Sequence, residues 1–588
     1  MKIQGTRVST HSVARIVKKA CTATALVTAL LPVGAGAITV QVGADASCDF
    51  DNLQDAINAV EAVSETRLIT VHDDLDDVSA LITKSMTVAG GHGPCAAPFP
   101  VNQRETLNVE YGHAGIRIEA GNSGRVDVVL KNLQINSGDG HNPSGVGLTT
   151  YGGGLYITGS AAEVTLQNVT VKNSKAYYGG GIYLADGDLT IKSDGQIDDN
   201  HAYENGGGIY CYNGDITIDN TDFYSNSATN GGGGAYLNDC FMRVGDGNSI
   251  RHNITSSGPG GGLSLNGGSS LRRTFAYTDS LFTIVSNRAD DPTYGRGGGI
   301  SLSNSSMNLT NTEILYNSAG VHGGGLRLTS ASYAYMDSTL NCQATDSCSR
   351  IYSNQSEGDG GGVAVTIGEI SFERVDIQYN DASGVGGAIY GTTADITLKS
   401  TLITDNDSNT VIYTKGGAQN FLRVYFSTIA DNWQVADNSI WVEAFTGQTP
   451  QISLIGNIIW EDTNANPLNK GILPAVVDCL FTHDIVQGTN VVVNSLAPGF
   501  VDGIGNDYHL SSDSPAIDIC PAPALAIIPT DMDDEFRGVD HPGSLSNGNN
   551  HYDAGVDEYG GRSIIILNDG FESGNLNSWS QVIGEGTH

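Results

Sequence analysis

Positive charge and proline are scarce in this chain. Lys and Arg together number 29 against 64 Asp and Glu, giving a formal net charge of −35. Affinity for polyanions comes from many basic side chains releasing counterions, so nucleic acid is excluded as a partner. Long apolar runs are missing too. The one near the start is bounded by Lys19 and Pro32, shorter than the ~20 residues of a spanning helix, and no later segment qualifies. No transmembrane span is therefore expected. Cysteine pairs at CxxC spacing with histidines nearby are absent, which argues against a zinc site. What abounds is glycine, with 76 residues against 16 prolines, beside 39% hydrophobic residues and 24 tyrosines. That apolar content is too high for a disordered polymer, so the chain folds.

The first 37 residues combine a basic region ending at Lys18 and Lys19, an apolar run through Leu30 and Leu31, and Ala35-Gly36-Ala37. They read as a secretory signal cleaved after Ala37. Cys21 precedes the apolar core, against a lipoprotein, and leaves with the signal. Eight cysteines then remain, an even number suited to disulfides in an oxidising compartment. Connectivity is open in the sequence. The simplest arrangement joins neighbours: Cys48 with Cys95, Cys211 with Cys240, Cys342 with Cys348, and Cys479 with Cys520.

An internal repeat decides the architecture. Glycine blocks followed by apolar residues recur at Gly152, Gly179, Gly206, Gly231, Gly260, Gly297, Gly323, Gly360 and Gly386, with a period of about 26 residues. Two units are lengthened to 37 residues, with excursions near Ala289–Arg296 and between Cys342 and Cys348, and these are candidate recognition loops. A second marker keeps the same rhythm: Asn173, Asn200, Asn226, Asn253, Asn287, Asn317, Asn354, Asn380, Asn406 and Asn432. Runs such as VTLQNVTV (Val164–Val171) alternate with period two and read as strands. A unit this short cannot bury its inner face alone, but stacked coils can. The expectation is an all-β parallel β-helix, each strand pairing with its counterpart one coil away at about 4.8 Å. Glycines suit corners of positive φ, and asparagines suit left-handed turns and amide ladders. Helical repeats are excluded by glycine blocks in every unit, and propellers by their ~40-residue blades.

Phe223-Tyr-Ser-Asn226 as an FxxN and Gly386-Gly-Ala-Ile389 as a GGAI resemble the polymorphic outer membrane protein repeats of bacterial surface adhesins. More broadly, the repeat from about Val101 to Trp441 resembles the pectin-lyase-like right-handed β-helix proteins. The segment SCDFDNLQDAINAVEAV, with Leu53, Ala56, Ile57 and Val60 on one helical face, looks like the N-terminal helix that covers the first coil in this superfamily. APGFVD (Ala497–Asp502), YHL (Tyr508–Leu510), SPAID (Ser514–Asp518), DMDDEFRG (Asp531–Gly538) and AGVDEYG (Ala554–Gly560) resemble the closing coils of bacterial secreted β-helix proteins. The tail DGFESGNLNSWS (Asp569–Ser580) looks like a module found at the C-termini of exported bacterial proteins. The implied layout is a signal peptide at 1–37, an N-terminal cap and first coils at 38–100, and the repeat helix at 101–441. Closing coils and a C-terminal cap follow at 442–562, then a tail at 563–588. The 27 residues after Gly561 leave no room for a membrane barrel, so release or non-covalent surface attachment is expected.

Three sets of residues are candidates for function. Aligning units on their asparagines brings Asp198 and Asp199 two coils from Arg251 and His252, the only local mix of carboxylates with a base and a cation, and the candidate catalytic group. In this alignment Lys172, Asp199, Ser225 and His252 share the column before the asparagine. The polygalacturonase-like pattern is incomplete: Gly91-His92-Gly93 occurs ahead of the repeats, and NTD and RIK are absent. Asp531, Asp533, Asp534 and Glu535 form an acidic run that admits calcium, although it lacks DxDxDG geometry. Finally, Tyr156, Tyr183, Tyr210 and Tyr236 should point outward on four consecutive coils, offering aromatic faces and hydroxyls to a glycan or protein. The leading reading is an exported, non-enzymatic β-helix in surface interaction or adhesion, needing no cofactor, with a polysaccharide, cell-surface glycan or protein as partner. The alternative is a secreted polysaccharide lyase or hydrolase of the pectin-lyase-like fold.

Overall fold

The computed structural model describes residues 38–561 apart from 65, 97–102, 122–123, 140–150, 274–279, 340–348, 434–437, 462–465, 522–529, 540 and 542–549. Glycine corners and alternating strands wind the chain into the right-handed parallel β-helix expected from the repeat. Among the described residues, 37 strands join through parallel pairings into one wound sheet, and eight short strands form a second. Register is kept from coil to coil. Tyr183 of the Ile182–Ala185 strand pairs with Tyr210, and Tyr210 with Tyr236. Inward positions are mostly Ile, Leu, Val and Phe, with an occasional Ala, as in the column Ile182, Ile209, Ala235, Leu263, Ile300 and Leu326, all fully buried.

The asparagines stack inside this wall. Asn226 Oδ1 accepts from the backbone N–H of Asn200 at 3.1 Å and from its Nδ2 at 2.9 Å. Asn226 Nδ2 donates in turn to Asn253 Oδ1 at 3.0 Å and to the Ile197 carbonyl at 2.8 Å. The same set repeats to Asn432, so the amides of the ladder are satisfied by adjacent coils. Two expectations need correction. The left-handed residue is the one before each ladder asparagine: Asp199, Ser225, His252, Ser286, Tyr316, Ser353, Tyr379, Asp405 and Asp431 have φ between 50° and 56°. Asn173 lies outside the ladder, because Lys172 pairs with Asp198 rather than Asp199. Ser174 takes the ladder position and donates its N–H to Asn200 Oδ1 at 3.0 Å, while Asn173 has φ 54°.

Glycine is required at two kinds of position in each block. Gly206 has φ +71°, and a Cβ on Gly181 would sit 2.7 Å from the Gly208 carbonyl of the next coil. The extra length of the first long unit lies partly outside Ala289–Arg296. Arg273 pairs with Leu309 and Phe282 with Thr312, so six more residues separate the first pair than the second.

The N-terminal end is closed by helix Leu53–Glu61, the one α-helix among the described residues. Asn52 caps it by accepting from Asp55 N–H, and Leu53, Ala56, Ile57 and Val60 are buried, as their spacing required. Its outer side chains substitute for a missing strand: Gln54 Oε1 accepts from Leu81 N–H at 2.6 Å and Glu61 Oε1 from Thr83 N–H at 2.7 Å. Disulfides join Cys48 to Cys95, Cys211 to Cys240 and Cys479 to Cys520. Cys342 and Cys348, the signal segment and the C-terminal tail lie outside the described residues.

After the last coil strand, Thr489–Val493, the chain leaves the solenoid, and the described residues between 500 and 561 pack back along a lateral face. Val556 N–H donates to Thr428 Oγ1 at 3.1 Å, Gly555 N–H to the Gly456 carbonyl at 2.8 Å, and Arg374 Nη1 to Thr530 Oγ1 at 2.8 Å. Outward Leu402 and Ala430 are thereby buried against Tyr508, Met532 and Val556.

Candidate functional site

One outward column of the lateral face runs Thr283, Glu313, Arg350, Asp376, Leu402, Thr428 and Ile458 through successive parallel pairings. It begins polar, becomes charged, and turns apolar where the returning segment covers it. At the boundary between charged and covered coils lies a cleft of about 960 Å³. Tyr316, Arg350, Tyr352, Asp376 and Gln378 line it from the coils, and Asp507, His509, Asp533, Glu535 and Asp557 from the returning segment.

The two walls differ chemically. On the coil wall, Arg350 is held by Glu313 through Nε at 2.9 Å and through Nη2. Asp376 has a buried Oδ1 with no hydrogen-bond partner. Burial pushes its carboxyl up to about 7, against the lowering pull of Arg350 and with a further push from Asp533. Tyr316 also lines this wall, 55% exposed on its left-handed turn, with its ring edge-on to Tyr352 at 5.7 Å. On the opposite wall, His509 is pinned between two carboxylates, Nδ1 to Asp507 Oδ1 at 2.6 Å and Nε2 to Asp533 Oδ2 at 2.8 Å. Leu510 N–H fixes Asp557 Oδ2 at 2.7 Å. One ligand atom each from His509, Asp533 and Asp557 lies within 4.8 Å of the others.

The acidic run expected to admit calcium is divided by this geometry. Asp531 is wholly buried and spent on the backbone: Oδ1 accepts from Asp533 and Glu535 N–H at 2.9 Å each, and Oδ2 from Glu558 N–H at 3.2 Å. Asp534 faces Arg374 Nη1 at 3.6 Å. Asp533 and Glu535 reach the cleft. The four do not converge on one ion, because Asp531 is turned onto the backbone and Asp534 toward Arg374 while Asp533 and Glu535 face the cleft.

Asp198 and Arg251 do lie two coils apart in one column, with Tyr224 between them. Arg251 is taken by Asp222, Nη2 to Oδ2 at 2.6 Å and Nε to Oδ1 at 3.0 Å, and its guanidinium covers the Tyr224 ring at 4.6 Å. Burial pushes the Asp198 carboxyl up to about 6, with Asp199 and Asp222 adding to the shift. Asp199 and His252 occupy the left-handed corner, and His252 sets its ring perpendicular to Tyr224 at 5.5 Å. The candidate catalytic four are thus placed on two neighbouring columns. Gly91-His92-Gly93 is tied into the N-terminal coils, where His72 Nδ1 meets the Gly93 carbonyl and Glu105 accepts from Gly91 N–H.

The tyrosine ladder forms as expected. Centroids of Tyr156, Tyr183, Tyr210 and Tyr236 are 5.5, 5.4 and 5.3 Å apart with interplanar angles of 5°, 2° and 5°. The faces between its rings are closed, however, since stacking sets each ring against its neighbours, and the column continues past Tyr236 as Ser264. Arg117 covers the Tyr156 end at 5.4 Å, while Tyr151 and Tyr178 lean on Tyr183 and Tyr210. Burial accordingly pushes the Tyr210 hydroxyl up to about 12. Edges and hydroxyls are what this surface presents.

The corner column of Asp199 continues through Tyr316, Tyr379, Asp405 and Asp431, and Tyr316 lines the cleft. Sequence columns did not reach the cleft itself, whose second wall comes from residues more than 100 positions further along. The legible signal was the column change from Asp376 to Leu402 and Ile458, since an outward apolar residue on a solenoid needs a cover.

Residues 153–339 match a family model described as a right handed beta helix region. Comparison with curated proteins finds no match. The matched stretch holds the glycine blocks up to the one at Gly323 and the tyrosine ladder, and ends before Arg350 and the blocks at Gly360 and Gly386. No helix among the described residues is long and apolar enough to cross a membrane. With parallel register running through the matched coils and beyond them, the chain is a right-handed parallel β-helix repeat protein.

Proposed function

We propose that the protein is an exported β-helix that binds a polysaccharide in the cleft between the coils and the returning segment. The carrying observation is Asp376, a carboxyl whose Oδ1 lies buried without a partner in the cleft that the exposed Tyr316 ring also lines. The asparagine ladder satisfies itself, whereas Asp376 brings an unpartnered polar atom into a cleft that also holds an aromatic surface of the kind sugar rings pack on. Surface interaction with a glycan is therefore assigned to this cleft rather than to the tyrosine ladder, whose faces between the rings are closed. Export is supported by the leader-like first 37 residues and by three disulfides, which persist in oxidising compartments.

A second reading, cleavage of the bound polysaccharide, is favoured by one observation. Asp376 and Asp533 share the cleft in unlike settings, one unpartnered and one held by His509, and glycosidic cleavage employs two carboxyls in different roles. Residues 38–588 would be passed over immobilised acidic and neutral polysaccharides, with new reducing ends and unsaturated uronate products measured in parallel. Saturable retention without product supports binding alone, and product supports the second reading. Absence of both removes the proposal.

A further inference from the structure

We infer that His509, Asp533 and Asp557 hold a divalent first-row transition cation in the wall of the cleft. Their ligand atoms fall within 4.8 Å of one another. Bonds of about 2.0–2.2 Å to one ion place such atoms roughly 3–4.4 Å apart, so side-chain shifts of about 1 Å or less per ligand complete the set.

Independent observations point to a ligand there. Asp533 is 7% exposed, and its Oδ1 is buried with no hydrogen-bond partner although Oδ2 meets His509. Such an oxygen is costly unless something positive reaches it. Charge around it is also unbalanced. Asp518, Asp531, Asp533, Asp553, Asp557 and Glu558 are all buried in the returning segment, and the cations set among them are Arg537 and His509. A dication at Asp533 and Asp557 offsets part of that excess.

The surroundings are arranged as metal sites arrange them. Asp507 holds His509 Nδ1 at 2.6 Å, which turns Nε2 toward Asp533, as an outer carboxylate orients a ligating imidazole. Leu510 N–H orients Asp557 through Oδ2. All three ligands line the open cleft, so the ion has an entry path. One imidazole and two carboxylates suit manganese or zinc, whereas calcium requires six to eight oxygens. On binding, the ion takes the place of the proton that His509 Nε2 shares with Asp533.

The test uses the full chain from which metal has been removed by chelator and dialysis, titrated with Mn²⁺ by electron paramagnetic resonance and with Zn²⁺ by calorimetry. One saturable site per chain is expected. Asp533→Asn and His509→Gln should abolish it, and Asp507→Asn should weaken it about tenfold or more, the usual penalty for losing an outer partner. Asp534→Asn, beside the site but aimed at Arg374, should bind as the parent does. The inference is overturned if the parent chain shows no saturable binding, a result independent of how any variant folds. It is equally overturned if Asp533→Asn and His509→Gln retain the parent affinity, or if equimolar calcium displaces the bound ion.

Discussion

The asparagine ladder from Asn200 to Asn432 and the returning segment from Phe500 to Gly561 handle buried polar groups in opposite ways. In the ladder each buried amide is matched by an identical one a coil away, so Asn226 receives from Asn200 what it gives to Asn253. The returning segment buries carboxylates in excess of cations and leaves Asp533 Oδ1 and Asp518 Oδ1 unpartnered. Periodicity lets a solenoid satisfy itself, and a site arises where the period ends. Glu461 marks the boundary. It closes the ladder by accepting from Asn432 N–H at 2.8 Å and from Asn432 Nδ2 at 3.1 Å, and burial pushes its carboxyl up to about 8.

The largest effect should come from cutting the ladder. Asn317→Ala strips partners from Asn287 N–H, Asn287 Nδ2 and the Ile284 carbonyl. At roughly 1–3 kcal/mol for each buried group left unpaired, urea melts should show a loss of several kcal/mol. Hydrogen exchange should rise first in the adjoining coils, because solenoid coils contact only their neighbours. A melt unchanged by this substitution would erase the contrast between the two regions.

Acidity sharpens it next. Glu461 keeps its proton in the folded state up to about pH 8, from an ordinary value of 4.5, while the unfolded chain has lost it. The resulting stability is complete below pH 4.5 and disappears as pH rises through 8. Asp198 and Asp337, both pushed up to about 6 by burial, act with the same sign between 3.8 and 6. Each unit of the Glu461 shift is worth about 1.4 kcal/mol. Thermal melts should therefore fall from pH 5 to pH 8, and Glu461→Gln should flatten the slope. A rising midpoint would contradict the assignment.

Smaller still is the tyrosine ladder. Stacked aromatic pairs are worth roughly 0.5–1.5 kcal/mol each, so Tyr183→Ser with Tyr210→Ser should cost a few kcal/mol at most in urea melts. Smallest is Asp518→Asn. Its Oδ2 accepts from His541 N–H at 2.9 Å, a bond the amide oxygen keeps, and asparagine tolerates its φ of 53°. Its Oδ1 has no partner to lose, so the melt should move by no more than about 0.5 kcal/mol. A loss as large as that of Asn317→Ala would show that both regions are built alike.

Most of the repeat was legible because its physics is periodic. Glycine blocks gave the coil length, the Leu53 to Val60 spacing gave the capping face, and three neighbouring cysteine pairs bond as their proximity in sequence suggested. Asn173 misled because asparagine suits both a ladder and a left-handed corner, and nothing local separates the two. The cleft was hidden for a different reason. Asp376 and Asp533 come together because Tyr508, Met532 and Val556 cover Leu402 and Ala430, a pairing of surfaces that no repeat encodes.

The most direct test of the central claim, that function resides in the cleft and not on the ladder, is to compare polysaccharide retention across three variants of the full chain. Tyr316→Ala and Asp376→Asn should each lose at least about tenfold in affinity, equivalent to roughly 1.4 kcal/mol. The Tyr183→Ser, Tyr210→Ser double variant should bind as the parent does. Lost retention in the ladder variant with parent-like retention in both cleft variants would contradict the account.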